Sequence, residues 1–269
     1  MSLELGDIVL NIRRQHRQRM FCIKTQSKLD RAIESYVRRE YTAWSPELPE
    51  KERVAENAKA IKIIKAARDG EGDAALVEMV IANDAAREPF DAMRKKREKA
   101  IAQLVRQLSV WESFAKPIRG CAEGSLGAII GEAGDLSNYA THSKLWKRMC
   151  VAVLDGKRQG NPGKGASADD WIAHGYSPAR RSVMWNIGDP LIKQNDGIYR
   201  QLYDMRKLYE LARDPEMSKG HAHNRAKRYM EKRLLKDLWR AWRRASSSVA
   251  EKPIHPLPAA SIHTESIAA

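Results

Sequence analysis

The stretch "SKGHAHNRAKRYMEKRLLKDLWRAWRR", Ser218 to Arg244, carries ten Lys or Arg side chains and two acids, Glu231 and Asp237. Placed on a helix at about 100° per residue, it sorts into two sides. Met230, Leu234, Leu235, Leu238, Ala241 and Trp242 gather on one, and Arg225, Arg228, Lys232, Lys236, Arg240 and Arg243 on the other. Apolar residues at spacings of three and four specify a helix with one face on a core. The opposite face has three candidate uses: a solvated surface, a membrane-surface helix, or a nucleic-acid contact. Solvated faces usually interleave Glu with Lys for local pairs, and here acids are nearly missing. Membrane binding would need the apolar side outside the fold. The pattern favours nucleic acid, gripped through backbone charge rather than read by sequence.

The rest of the chain agrees with a polyanionic partner. Its 269 residues have a formal net charge of +14, and this one segment supplies +8 of it (ten minus two). A second basic cluster, "RRQHRQR", spans Arg13 to Arg19. With 43% hydrophobic and 30% charged residues, the chain has enough apolar material for a core. Few Gly and Pro occur, and no run alternates apolar with polar, so an all-α fold is expected. Cys22, Cys121 and Cys150 are too far apart for a zinc ribbon and odd in number for a disulfide framework. No run reaches the roughly 18 apolar residues of a membrane span, and the first residues lack a secretion signal, so a cytoplasmic location and no membrane partner are expected.

Breaks divide the chain into four expected parts. Residues 1–88 read as an N-terminal helical region, interrupted at "WSPELPE" (Trp44 to Glu50) and "DGEGD" (Asp69 to Asp73). Residues 89–116 read as a linker helix in which Ile101, Leu104, Leu108, Trp111 and Ala115 form a coiled-coil seam. That seam would serve either a helical hairpin within one chain or a homodimer. Residues 117–245 form the main helical domain, with a Gly/Lys loop from Leu154 to Trp171 and turns at "GDP" (Gly188 to Pro190) and "DPEMSKG" (Asp214 to Gly220). Residues 246–269, with Pro253, Pro256 and Pro258, are expected to be disordered.

Within the main domain, "PIRGCAEGSLGAIIGEAGD" (Pro117 to Asp135) reads as a helix-hairpin-helix. A tight Gly turn before a small-residue helix lets backbone N–H groups approach phosphate. Gly120, Gly124 and Ser125 are the candidates there, although the glycines would equally cap helices in a bundle. Lys157, Arg158 and Lys164 lie in the Gly/Lys loop, which would touch a nucleic-acid backbone or act as a mobile linker. In "GYSPARR", Ser177 is the expected N-cap and Pro178 opens the helix. Arg180 and Arg181 are then first-turn cations against the helix dipole, which suits either a phosphate or local acids.

Read in order, this hairpin, the "NYATHSKL" and "VAV" segments, the Gly/Lys loop, "GYSPARRSVMW" and "NRAKRYMEKRLLKDLW" resemble the C-terminal domain of the DEDD transposases. The resemblance covers roughly Phe90 to Arg244. It implies a helix-hairpin-helix transposase domain preceded by a coiled-coil linker, with DNA and a structured guide RNA as partners. The departures shape what is expected. The family's second hairpin Gly is replaced, since Arg119, Gly120, Cys121 and Ala122 stand there. The place of the family's catalytic serine falls near Gln159 to Asn161, and Ser167, the nearest hydroxyl, is followed by Ala168. The first 90 residues are too helical to build the metal-binding nuclease domain, and Asp69, Glu71 and Asp73 read as a solvated turn. His221 and His223, in "GHAHN", lack the further ligands a metal needs. The expectation is a DNA-binding, transposase-like protein with no catalytic residue, metal or cofactor of its own. The alternatives are a recombinase using Ser167 and a helical scaffold without a nucleic-acid role.

Overall fold

A row of apolar side chains four residues apart, Ala222, Ala226, Met230, Leu234, Leu238 and Trp242, runs along helix α9 (Lys219–Ser246), none more than 2% exposed. Such rows are the ridges that pack into the grooves of neighbouring helices. Helices α5 (His142–Arg148), α7 (Pro178–Ile192) and α8 (Ile198–Arg213) pack against this one. At its far end the Trp242 indole N–H donates to the Asp135 carboxylate at 2.8 Å, so the ring is buried without leaving its donor unpaired.

The computed structural model describes residues 4–163 and 165–246, and these are all-α apart from one two-stranded hairpin. The remaining helices are α1 (Leu5–Tyr41), α2 (Glu50–Arg68), α3 (Ala74–Val105), α4 (Glu123–Ala133) and α6 (Ala168–His174). The hairpin pairs β1 (Val153–Leu154) with β2 (Lys157–Arg158). Helix α9 runs to Ser246, and the rest of the expected tail lies outside the described residues. The chain divides into two compact units: Gln15–Ala100, and the described residues before Gln15 and after Ala100.

In the first unit, α1, α2 and α3 bury Ile33, Val37, Ala60, Ile64, Ala67, Leu76 and Val80. The expected break after Tyr41 is present, and the Glu56 carboxylate holds it by accepting the Ala43 N–H at 3.1 Å. The "DGEGD" turn is also present, with Gly70 and Gly72 at φ of +83° and +102°. Across that turn Tyr41 donates to Asp73 at 2.6 Å, and Arg68 grips Asp84 through two bonds of 2.7 and 2.9 Å. Arg19, from the N-terminal basic cluster, pairs with Glu98 at 2.9 Å.

Three expectations are corrected in the second unit. The linker over 89–116 is not one helix, because α3 ends at Val105 and a single π-helical turn, Trp111–Ala115, follows. Ile101, Leu108, Trp111 and Ala115 of the supposed seam are buried in this unit's own core. The "GDP" stretch is not a turn, since α7 continues through it to Ile192. Gly188 is there for close approach: a Cβ would stand 2.6 Å from Lys227 Cε and 3.1 Å from Glu231 Oε1 on α9. Pro190 lies in the last turn of the helix, where the missing N–H forfeits one intrahelical bond. Finally, the start of the Gly/Lys loop is a β-hairpin. Asp155 and Gly156, at φ of 50° and 72°, take the left-handed conformations that a two-residue Asp-Gly turn demands.

Gly127 makes the tightest contact of α4. A Cβ would fall 2.2 Å from Ile101 Cγ2, a stiff β-branched side chain that is itself buried. In an exposed helix Gly→Ala is worth about 1 kcal/mol of added stability. Here overpacking reverses the sign, and Gly127→Ala should lower stability by about 1–3 kcal/mol in urea titrations. A variant as stable as the parent, or more so, contradicts the close packing of α4 on Ile101.

Candidate nucleic-acid interface

The Asp155–Gly156 turn places Lys157 and Arg158 on the return strand, opposite Leu154 and Val153. Gln159 then anchors the chain. It is 1% exposed, its N–H donates to the Ala152 carbonyl at 3.0 Å, and its side-chain amide donates to the His174 carbonyl at 3.2 Å. The hairpin and its following loop thereby form one wall of a cleft of about 1990 Å³, whose other walls come from α6, α7, α8 and α9. Eight Lys or Arg side chains line it against three carboxylates, Asp155, Asp170 and Glu210.

Six of the expected cations converge here: Lys157, Arg158, Arg181, Arg225, Arg228 and Lys232. They come from three stretches separated in sequence, so only the fold unites them. Lys236 and Arg240 continue the line of Lys232 along α9 beyond the cleft. There Lys232 Nζ stands 4.4 Å from the Trp146 ring centre, and the His142 ring lies edge-on to Trp146 and Trp239 at 4.5 and 5.9 Å. Lys164 lies outside the described residues.

The cations are of two kinds. Arg181 is turned inward and pairs with buried Glu231 at 2.6 Å. Arg180 pairs with Glu132 at 3.4 Å and does not line the cleft. The first-turn arginines of α7 are therefore matched by acids of the chain itself, one of the two uses expected for them. Arg225 is 3.1 Å from Glu210, a carboxylate that also accepts from Arg206 at 2.8 Å and Arg213 at 2.9 Å. Burial works to raise the Glu210 carboxyl, but the hydrogen bonds of Arg225 and Arg206 outweigh it and hold the group below its ordinary range. One acid thus positions three guanidinium groups and cannot neutralise them all. Among the described residues, Lys157, Arg158, Lys232, Lys236 and Arg240 form no ion pair. Arg228 reaches only the Gln159 carbonyl, at 3.5 Å, and burial draws its guanidinium down.

The glycine turn is packed within the second unit. Gly120 has φ of +84°, but a Cβ there would meet the Pro190 carbonyl oxygen at 2.7 Å, so the turn is packed against the end of α7. At the start of α4, the Ser125 and Leu126 N–H groups both donate to the Ala122 carbonyl, at 2.9 and 3.3 Å. The Glu123 carboxylate, held below its usual range by its own backbone N–H and by Arg106, already occupies the anionic place. Gly124 is open to solvent and Ser125 half-buried, so a phosphate at this helix end would compete with the Glu123 carboxylate. Ser167 is likewise engaged: it caps α6, donating to Asp170 at 2.8 Å and accepting the Asp170 N–H at 3.1 Å. Asp170 is held low by the Ser167 N–H and hydroxyl, which makes it a weak base for activating that serine.

The sequence reading passed over Lys147, Arg206 and the aromatic residues Tyr176, Trp185 and Tyr229, all in the cleft lining. A usable signal was "YDMRKLYELAR" (Tyr203 to Arg213), where Arg and Tyr alternate at helical spacings. Here Arg206 lies over Tyr209 at 4.6 Å and Tyr229 at 5.0 Å. His223 is bonded to the Tyr203 hydroxyl at 2.7 Å, away from His221. No group of three His, Cys, Asp or Glu able to hold a metal occurs among the described residues, and no described helix is long and apolar enough to cross a membrane. Comparison of the chain with family models, with curated proteins and with solved structures gave no match.

Two histidines make stability depend on pH. Burial, then the charges of Lys236, Arg240 and Lys232, lower the His142 imidazole below 6.5, and burial with Lys227 and Lys207 does the same for His223. Between the folded and unfolded values the unfolded chain binds more protons, so stability falls as pH drops through that window. Thermal unfolding should shift downward between pH ~7 and ~5.5, and less so in the His142→Gln, His223→Gln double variant. An equal shift in both proteins would contradict these two placements.

Proposed function

We propose that this protein binds nucleic acid, DNA or a DNA–RNA assembly, through the cleft and the adjoining face of α9. It would act in recombination or transposition, or in their regulation, as a transposase-like factor that does not itself cut strands. The observation that carries the binding reading is the convergence of Lys157, Arg158, Arg228 and Lys232 on one cleft, continued along α9 by Lys236 and Arg240. Cations held together in excess over nearby acids repel each other, and a polyanion relieves that repulsion while releasing its own counterions. The recombination part rests on the resemblance of Phe90 to Arg244 to DEDD transposases. The engagement of Ser167 as the N-cap of α6 and the carboxylate at the start of α4 weigh against a strand-joining role for this chain.

Filter binding at several salt concentrations tests the reading. Six cations on six phosphates should give a log–log slope of about −4 to −5. Reversing two of them, in Lys157→Glu, Arg158→Glu, should make the slope shallower by about 1.5. Weak binding with a flat salt response would instead leave the basic face as a solubilising surface on a helical scaffold.

A further inference from the structure

We infer that the cleft takes an unpaired strand, with a base stacked on the ring of Trp185 and the sugar–phosphate backbone on the surrounding cations. This rests on the nucleic-acid reading above and adds the strandedness of the ligand.

Trp185 is on α7, lines the cleft and is 36% exposed, an uncommon degree of exposure for an indole that is also gripped from behind. The ammonium of Lys227 lies 3.4 Å from the ring centre, and Lys227 is 0% exposed, so this face of the ring looks into the protein. The Arg181 guanidinium also lies over the ring, 5.6 Å from its centre, and the accessible part of the indole lines the cleft beside it. His223 abuts the ring at 80° with centroids 6.1 Å apart, and is itself fixed by Tyr203. The indole is thus held before any ligand arrives, which reduces the ordering cost of binding. Tyr229, 38% exposed, lines the same cleft and offers a second ring, and the Arg206 guanidinium lies over it.

Duplex DNA has no use for these rings. Its bases are stacked on one another and present only their edges in the grooves. Unpaired bases have free faces, and proteins that hold single strands combine a cationic groove with aromatic side chains in this way. Gln159 adds an observation of another kind. Its Oε1 is buried in the cleft wall, and no donor among the described residues reaches it.

The test uses the full chain and labelled probes of roughly 12 nucleotides: a single strand, an abasic strand of equal charge, and a duplex, each strand as DNA and as RNA. The base-bearing strand should bind about 5- to 100-fold tighter than the abasic strand, in whichever sugar is preferred. Trp185→Leu should remove most of that ratio and leave the salt slope unchanged, and Trp185→Phe should keep it. The abasic comparison on the parent protein stands even where a variant fails to fold. Equal affinity for abasic and base-bearing strands, or tighter binding of duplex, overturns the inference while the salt-dependent reading survives. Absence of salt-dependent binding to every probe overturns both.

Discussion

The ammonium of Lys227 is out of reach of water, and a charge in that position has to be compensated where it stands. Asp189 supplies a carboxylate one turn from the end of α7, and Trp185 supplies the face of its ring. One turn along α9, Glu231 is buried as well; burial pushes its carboxyl up while Arg181 beside it pulls the other way. Both pairs lie in the crossing of α7 with α9, and both need the space left by Gly188. Removing Asp189 from Lys227, or Arg181 from Glu231, would leave a buried group without its partner, which typically costs about 3–5 kcal/mol. The crossing therefore tolerates little variation, and it sets the position of every cleft residue on these two helices.

This division of the charged residues explains how a strongly basic chain folds. Cations at helix crossings are matched by acids, as Arg180 is by Glu132 and Arg181 by Glu231. Cations on the hairpin and on the outer line of α9, Lys157, Arg158, Lys232, Lys236 and Arg240, form no ion pair among the described residues. Glu210 stands between the two classes. It fixes the geometry of Arg206, Arg213 and Arg225 but leaves a surplus of positive charge at the mouth of the cleft.

Much of the fold was legible in the sequence. The α9 pattern identified its buried side, since spacing alone decides which residues share a face, and Met230, Leu234, Leu235, Leu238 and Trp242 are all buried. The Pro and Gly breaks after Tyr41 and Arg68 were equally plain. What failed had non-local causes. Gly188 looks like a turn residue until α9 is laid against it, and the seam beginning at Ile101 looks continuous until α4 approaches through Gly127. Lys227 falls in the middle of the apolar side of α9, between Leu234 and Leu238, so spacing already buries it; what spacing does not show is the acid 38 positions earlier that matches its charge. Arg181 could not be separated from Arg228 without knowing which of them faces an acid. The hairpin, like Arg206, was missed despite a local signal, the Asp155–Gly156 pair.

On the proposed function, the unmatched cations of the hairpin and α9 form a single surface for a polyanionic strand. Acetylation footprinting of lysines, read by mass spectrometry with and without nucleic acid at low salt, examines that surface directly. Lys157, Lys232 and Lys236 should be protected together by bound strand, while Lys95, Lys96 and Lys99 on α3 keep their reactivity. Protection centred on the α3 lysines, or unchanged labelling of Lys157 and Lys232 in a saturated complex, would contradict it.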